Sequence, residues 1–409
     1  MQHRHHPGGV PRIGLVLVVA TTIVGCQSAA SPSATLSSSS ILPPSPTQAA
    51  PPTPTPAPPI FTSWAPLTLP EPRPHVFGGS SVAAAVAFQG GYLAVGGVHG
   101  GCCTGGFTHD THGVVWRSGD GLAWDLDPTD PVFDLAALQG LATDGRRLVA
   151  IGALMLDSTE YPGDADPHGA AWVSDDGRTW ELVEDLPLFE TIVAIDGAFA
   201  ALPFPDAGAE IWRSVDGRTW TRTSTWQELG PGVIRDMIPA PVGVVAVGSA
   251  DDASGSTTGV SWLSVDGTHW RRAPNQVSLL GVSLAQVVVS GSVLVALGRG
   301  PMADVLAWSE DGLTWTRVIE QPLADGFSLE AVFGSARGFV VSGSHEVGDE
   351  SVPFVWTSAG GRTWVAVDAP ADAGPGELVA LDRGGSLTVF GERLDQAVER
   401  RVPTAWDVR

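Results

Sequence analysis

Lysine is absent from this chain of 409 residues, and tyrosine is limited to two. All 22 cationic side chains are therefore arginines, set against 44 aspartates and glutamates, and the formal net charge at pH 7 is −22. Most of a surface with this balance repels the phosphates of nucleic acids. The sequence therefore excludes nucleic acid as a partner.

Helical patterns are also scarce, since no segment after the first 25 residues has the apolar spacing of a long helix. Glycine, proline and tryptophan are abundant instead, with 50, 33 and 15 residues. Glycine and proline at this density favour many short strands joined by tight turns. We therefore expect an all-β protein.

The N-terminus has the pattern of an export signal. Arg4 and Arg12 precede an apolar run at residues 13–24, which is too short to span a bilayer and is typical of a signal peptide. The run ends in Ile-Val-Gly-Cys, which resembles a bacterial lipobox and implies that Cys26 becomes the acylated first residue of the mature protein. We therefore predict a lipoprotein signal peptide at residues 1–25 and a lipid-anchored, extracytoplasmic location at the cell membrane. The alternative is an ordinary secreted protein, or a weak membrane anchor, with an incidental Cys26.

Residues 26–60 consist mainly of serine, alanine, proline and threonine, and they end in PPTPTPAPP followed by isoleucine. This composition cannot form a hydrophobic core and favours an extended chain that is partly polyproline. We predict a disordered tether that holds a folded domain, residues 61–409, away from the membrane.

A repeated unit fills that domain. Seven times between Val82 and Arg393 an apolar strand, a glycine turn and a second apolar strand follow one another. Six copies continue into a box flanked by tryptophans, whose second tryptophan is Trp124, Trp180, Trp220, Trp270, Trp315 or Trp364. Successive boxes are 56, 40, 50, 45 and 49 residues apart, which is the length of a propeller blade. The repeat predicts a seven-bladed β-propeller of four-stranded blades.

The seventh copy lacks its fourth strand, because the chain ends at Arg409, shortly after Trp406. Residues 61–67 at the other end have the missing pattern, with Trp64 in the place that Trp180 has in the second copy. We therefore expect the N-terminal strand to complete the last blade. Such closure removes exposed sheet edges and pins the two ends of the domain together.

Three of the six boxes read Ser-x-Asp-Gly-x-Thr-Trp and the others differ from this at one position; they resemble the Asp-box of the sialidase-like (BNR-repeat) propellers, Ser-x-Asp-x-Gly-x-Thr-Trp, with one residue fewer. The resemblance covers residues 61–409. In such a box the carboxylate can accept backbone N–H bonds within the turn, glycine supplies a positive φ, and tryptophan inserts between blades. Because the copies stand far apart around the ring, we expect a structural role, without catalysis, for Asp120, Asp176, Asp216, Asp266 and Asp311. In the sixth copy Gly360 stands where the aspartate is expected.

The resemblance also raises an alternative function, a carbohydrate-active hydrolase with a sialidase-like active site in the central funnel. Sialidase chemistry needs arginines clustered at the funnel and a tyrosine nucleophile assisted by glutamate. Tyr92 falls in an inner strand and Tyr161 in a loop, and the Phe/Tyr-Arg-Ile-Pro segment of the family is missing. Eight arginines map to outer strands or their turns: Arg117, Arg178, Arg213, Arg218, Arg222, Arg271, Arg317 and Arg362. We therefore assign no catalytic residue, and glycosidases that need only two carboxylates remain the alternative.

One loop of the first copy brings together thiols and imidazoles, namely His99, Cys102, Cys103, His109 and His112. These side chains could bind a soft metal, but their spacing fits no standard zinc pattern. With Cys26 acylated, Cys102 and Cys103 can pair only with each other or with another chain, so we favour a vicinal disulfide or a plain loop. Oxygen-rich segments at residues 157–168 and 344–350 could bind calcium, although solvated acidic loops are commoner. We expect no cofactor other than such a divalent cation.

Four carboxylates share a position seven or eight residues before the turn glycine of their copies: Glu190, Asp236, Glu330 and Glu377. This position would start the innermost strands of blades three, four, six and seven. There the four acids would ring the mouth of the channel and attract a cation or a basic group. Ordinary loop acids are the alternative interpretation.

The expected function follows from the expected fold. In a propeller the long connections gather on one face around the central channel, and that face usually binds ligands. We therefore interpret the protein as a monomeric, lipid-anchored module that binds an unknown protein or carbohydrate ligand through its loop face.

Overall fold

A computed structural model describes residues 59–72, 79–99, 111–128, 130–157, 165–204, 209–252, 254–301, 303–318, 327–347, 350–370, 378–395 and 400–409. Contacts divide the chain into a unit at Met1–Pro54 and a unit at Thr55–Arg409, and every described residue lies in the second. Within these ranges no helix is long and apolar enough to cross a membrane.

The described chain forms seven antiparallel sheets of four strands each. The first strand is β1 (Trp64–Leu67). Blade one then contains β2 (Gly79–Phe88), β3 (Gly91–His99), β4 (His112–Ser118) and β5 (Trp124–Leu126). Blade two contains β6 (Ala136–Thr143), β7 (Leu148–Asp157), β8 (Ala165–Ser174) and β9 (Glu181–Leu186). Blade three contains β10 (Phe189–Ile195), β11 (Ala198–Pro203), β12 (Ile211–Ser214) and β13 (Thr221–Ser224).

The remaining blades repeat this order. Blade four contains β14 (Val233–Ala240), β15 (Gly243–Asp251), β16 (Thr257–Ser264) and β17 (Trp270–Arg272). Blade five contains β18 (Ser283–Ser290), β19 (Val293–Arg299), β20 (Val305–Ser309) and β21 (Thr316–Arg317). Blade six contains β22 (Phe327–Ser335), β23 (Gly338–Val347), β24 (Glu350–Ser358) and β25 (Val365–Val367). Blade seven contains β26 (Val379–Asp382), β27 (Leu387–Asp395) and β28 (Arg400–Val408), and its fourth strand is β1.

We name the strands of each blade A to D from the channel outward. The A strands of neighbouring blades contact one another around the full circle, from β2 through β26 and back to β2. The described apolar side chains form one core in each of the seven gaps between neighbouring blades, and a small eighth cluster surrounds Met155 in blade two. The predicted seven-bladed propeller is therefore confirmed. Its stability depends on contacts between blades, because a single sheet cannot bury both of its faces.

The N-terminal strand closes the ring as the sequence predicts. β1 pairs antiparallel with β28, and Trp64 lies opposite Val408. This is the pairing that Trp124 makes with Ser118 in blade one, so the closing strand lies in the same register as an ordinary D strand. Trp64 packs into the core between blades six and seven, and the N–H of Thr62 donates to the carbonyl of Arg409 at 2.8 Å.

Each intact box forms the turn between strands C and D. In blade two, Asp176 Oδ1 accepts the N–H groups of Arg178 at 2.7 Å and Thr179 at 2.8 Å. These backbone donors, Thr179 first and then Arg178, lower the pKa of Asp176 to about 2. Gly177 follows with a φ of 67°, and Trp180 packs into the core between blades one and two. The same two N–H bonds occur at Asp120, Asp216, Asp266 and Asp311.

The fifth box departs from the others in the position of its first tryptophan. Aligned on the serine of the turn, Ala307 occupies the place of the buried Trp116 and Trp262, while Trp308 lies one residue later on the other face of the strand. There the guanidinium of Arg362, from the next box, lies 4.3 Å from the ring centroid of Trp308. The box pattern in the sequence therefore does not show that Trp308 lies on the opposite face of its strand from the first tryptophan of the other boxes.

Helical structure in the described ranges is limited to short turns. One α-helical turn, α1 (Trp226–Leu229), precedes blade four, where no helix was expected. Two 3₁₀ turns, Pro131–Phe133 and Val277–Leu279, precede blades two and five.

Candidate functional site in the central channel

A β-bulge recurs at one height in the A strands of blades one to six. The pairing with strand B slips by one residue at Ala83, Gln139, Glu190, Arg235, Ala285 and Glu330. A bulge leaves one residue out of the ladder and redirects its side chain. Here the six extra residues all line the central channel, a cavity of about 820 Å³.

A glycine within most B strands makes room for this bulge. A Cβ added to Gly152 would lie 2.0 Å from the carbonyl oxygen of Ala137, and one added to Gly248 would lie 1.9 Å from that of Val233. Both glycines have negative φ, so glycine is needed at these positions for lack of space for a Cβ and not for its backbone conformation. Blade three places Pro203 opposite Phe189 at the matching position. This recurring glycine of strand B is thus the sequence signal that could have located the bulge.

Three of the four carboxylates singled out in the sequence meet in the channel. Glu190, Asp236 and Glu330 line one cavity, whereas Glu377 lies outside the described residues. Glu190 and Glu330 are bulge residues. In blade four, however, the bulge residue is Arg235, and Asp236 stands one position later. Counting back to the turn glycine missed this difference, because that glycine lies inside the turn in blade three (Gly197) but is the first residue of strand B in blades four and six (Gly243 and Gly338).

Asp236 connects two blades. Its Oδ2 accepts the N–H of Val287 in the A strand of blade five, and its Oδ1 accepts the N–H of Met237, both at 2.8 Å. Burial, reinforced by the negative charge of Glu190, raises the pKa of Asp236 to about 7 despite these two hydrogen bonds. One blade further on, Gln286 makes the equivalent link without a titratable group, since its Oε1 accepts the N–H of Val332 at 2.9 Å.

Two arginines belong to the channel although the sequence analysis placed none there. Arg235 is exposed, and within the described ranges no side chain or carbonyl pairs with it. Arg299, at the end of β19, pairs with Asp304 at 2.6 Å and also donates to the carbonyl of Leu329 in blade six. Asp304 in turn accepts the N–H of Leu329 at 2.8 Å. Arg299 therefore holds the backbone of Leu329, next to the bulge of blade six, through hydrogen bonds. Arg235 is available to a ligand.

The residues suggested for a soft-metal site are described only in part. His99 ends β3 and His112 begins β4, where the His112 Nδ1 lies 3.4 Å from Asp134 Oδ1. Cys102, Cys103 and His109 lie outside the described residues. Among the residues that the structure does describe, no group of three or more His, Cys, Asp or Glu side chains is arranged to hold a metal ion.

The outer arginines and the tyrosines of the sequence analysis stand away from the channel. Arg117, Arg213, Arg222, Arg271 and Arg317 lie on C or D strands, and Arg178, Arg218 and Arg362 lie in box turns. Tyr92 packs beside the core between blades seven and one, and Tyr161 is outside the described ranges.

No protein-family model and no curated protein sequence matches the chain. Among solved structures, YCF48 bound to D1 peptide has a TM-score of 0.54 at 13% identity, covering 84% of this chain and 94% of that one. The propeller domain of the trilobed protease from Pyrococcus furiosus has a TM-score of 0.49 at 9% identity, covering 81% and 97%. Trypanosoma rangeli sialidase in complex with sialic acid has a TM-score of 0.44 at 15% identity, covering 84% of this chain and 57% of the sialidase. At these identities the similarity shows the propeller fold alone.

Proposed function

We propose that this protein is a lipid-anchored, extracytoplasmic module that binds a protein or peptide through the channel mouth on its loop face. One observation carries the proposal: six blades use the same bulge to present six side chains of varied chemistry to one cavity. A constant backbone with variable side chains is the arrangement that recognition of a ligand requires.

The chemistry of the ring favours a ligand with separated polar and apolar parts. Glu190 and Arg235 contribute charge on blades three and four, and Glu330 contributes it on blade six. Ala83 and Ala285 contribute small apolar surfaces on blades one and five. A peptide offers both kinds of group along one chain, and YCF48, which has a similar fold, has been solved with a peptide bound.

Photo-crosslinking in cells tests this proposal. Phe204 lines the channel and is 47% exposed, whereas Val265 lies in a box turn and is 77% exposed. A photoreactive amino acid at position 204 should give a discrete crosslinked product that is lost when Arg235 and Glu330 are replaced by alanine. The same group at position 265 serves as the control. Equal products from both positions, or none from position 204, would contradict binding at the channel.

The lipid anchor is a separate part of the proposal and needs its own test. Cys26→Ser should abolish incorporation of a radiolabelled fatty acid and release the protein from the membrane fraction. Cys102→Ser is the matched control and should leave both measurements unchanged. Labelling that survives Cys26→Ser would refute the anchor.

A glycosidase is the second candidate, and one observation favours it: Asp236, with its raised pKa, stands beside the negative charge of Glu190. An acid and a base of this kind are the groups that glycoside hydrolysis uses. Both oxygens of Asp236, however, accept backbone N–H groups, which fixes the carboxyl in the channel wall. Hydrolysis of chromogenic glycosides that is lost in both Glu190→Gln and Asp236→Asn would establish the enzyme and displace the binding module.

A further inference from the structure

A second cavity, of about 1,090 Å³, lies in the gap between blades one and two, away from the channel. Its apolar walls include Phe133 and Trp180, whose rings stand edge to face with centroids 5.6 Å apart, together with Val115 and Leu126. The same gap design occurs once more, between blades four and five, and the two gaps can be compared atom by atom.

The two gaps share their backbone. In each, a short D strand is followed by a 3₁₀ turn, Pro131–Phe133 in one and Val277–Leu279 in the other. The residue after each turn makes an isolated bridge back to the preceding C strand, His112 with Asp134 and Thr258 with Leu280. The residues that cap the turns, Asp130 and Gln276, are therefore equivalent.

In the gap between blades four and five, a side-chain amide fills the space. Gln276 Nε2 donates to the carbonyl of Leu313 at 2.8 Å, and its Oε1 accepts the N–H of Trp315 at 2.8 Å. The indole N–H of Trp315 also has an acceptor, the hydroxyl of Ser261 at 3.0 Å. All of these bonds cross from one blade to the next, so the amide closes the gap.

In the gap between blades one and two, the counterparts of the Gln276 amide and the Ser261 hydroxyl are missing. Asp130 is shorter than glutamine and turns back to accept the N–H of Val132 at 3.1 Å. Val115 takes the place of Ser261, and the buried indole N–H of Trp180 has no hydrogen-bond partner. The backbone groups that match those held by Gln276 are the carbonyl of Arg178 and the N–H of Trp180. No side chain among the described residues bonds to them, and both residues line the cavity.

From this comparison we propose that the gap between blades one and two binds an extended peptide, one residue of which takes the position that the Gln276 amide occupies in the closed gap. The N–H of that residue donates to the carbonyl of Arg178, and its own carbonyl accepts the N–H of Trp180, as in parallel β pairing. Apolar side chains of the peptide pack against Phe133, Val115 and Leu126. This site is separate from the channel and does not depend on the function proposed for it.

NMR of protein labelled with ¹⁵N-tryptophan tests the site directly. The probe is acetyl-Ala-Val-Ala-amide, used at millimolar concentration because a short peptide binds weakly. The indole signal of Trp180, assigned by its loss in Trp180→Phe, should shift on titration. The signal of Trp315, in the closed gap, should stay in place.

Two chemical controls separate a peptide amide from other ligands. A probe with N-methylvaline lacks the donor to Arg178 and should bind about tenfold more weakly, which is the value of one hydrogen bond. Chitobiose carries amides only as N-acetyl groups and should leave the Trp180 signal unchanged. A shift with chitobiose alone, or equal affinity for both peptides, would overturn the proposal.

Variants that copy the closed gap provide the decisive comparison. Asp130→Gln together with Val115→Ser should fill the gap from within and abolish the Trp180 shift, at an unchanged melting temperature. Asp130→Asn removes the charge but cannot reach across the gap, so it should still bind. Conversely, Gln276→Asp should open the other gap and make the Trp315 signal respond to the peptide. Binding that persists in the double variant refutes the site.

Discussion

At the scale of single residues, the glycine within strand B that lies opposite the bulge has a measurable steric role. Gly152→Ala should lower the free energy of unfolding by about 1–3 kcal/mol, because the new Cβ would meet the carbonyl of Ala137 at 2.0 Å. Urea denaturation followed by tryptophan fluorescence measures the change. Gly119→Ala is the control, since no atom lies within 4 Å of its Cβ and its φ is not positive. Equal stabilities of the two variants would contradict the steric argument.

Asp236 should make stability fall as pH rises. Its pKa of about 7 in the folded protein exceeds the ordinary 3.8, so between those values only the unfolded state releases its proton. This residue's contribution is therefore lost progressively from about pH 4 to about pH 7 and is constant above that. Arg235, Glu190 and Glu330 also line this cavity.

Asp236→Gln isolates that effect, because Gln286 shows that a glutamine can bridge to the next blade at this position. The difference in unfolding free energy between variant and parent should shift in favour of the variant by more than about 1 kcal/mol from pH 5 to pH 8. Urea titrations at four pH values measure it, with Gln286→Glu as the reciprocal variant. A difference that does not change with pH would show that Asp236 ionises normally.

At the scale of elements, the sixth box offers a test of what the aspartate does in the turn. Gly360 occupies the aspartate position, and a Cβ there would meet nothing within 4 Å. The serine bond of the turn is retained, since Ser358 Oγ accepts the N–H of Gly361 at 2.8 Å. Gly360→Asp should therefore stabilise the protein by about 1 kcal/mol more than Gly360→Ala, which changes only chain entropy. Matching melting temperatures for the two variants would mean that the carboxylate contributes nothing.

The elements also show where sequence reasoning succeeds and where it stops. The turns between strands C and D could be located from the serine, glycine and tryptophan of each box, because the whole motif is local. The bulges could not, because a bulge is a slip between two strands. The displacement of Trp308 by one position was equally hidden, since moving one position along a strand transfers a side chain to the opposite face.

At the scale of the whole molecule, closure by β1 has the largest consequence. Deleting residues 27–69 should leave β28 with an open edge and lower the melting temperature or cause aggregation. Deleting residues 27–58 alone is the control, because it leaves β1 in place. Calorimetry compares the three proteins. If the longer deletion melts no earlier than the control, the ring does not depend on its N-terminal strand.

The net charge of −22 and the channel arginines also belong to this scale. The composition indicated an acidic surface, and the alignment of four carboxylates on the turn glycine predicted acids at the channel mouth. The structure places Arg235 and Arg299 there beside Glu190, Asp236 and Glu330. Composition averages over the surface, so it could not show that two of the arginines in the described ranges lie in the channel.

The sequence by itself determined the number of blades, the order of strands within each blade and the closure of the ring. The pattern of tryptophan and glycine that marks each blade recurs every 40 to 56 residues and encodes the number of blades and their strand order. The same pattern at residues 61–67 identifies the strand that closes the ring. Only the tertiary structure decided which side chains meet in the channel, and that one gap is closed by Gln276 while its counterpart, capped by Asp130, is open. Those properties depend on strand register and on the reach of single side chains between blades, and neither is periodic in the sequence.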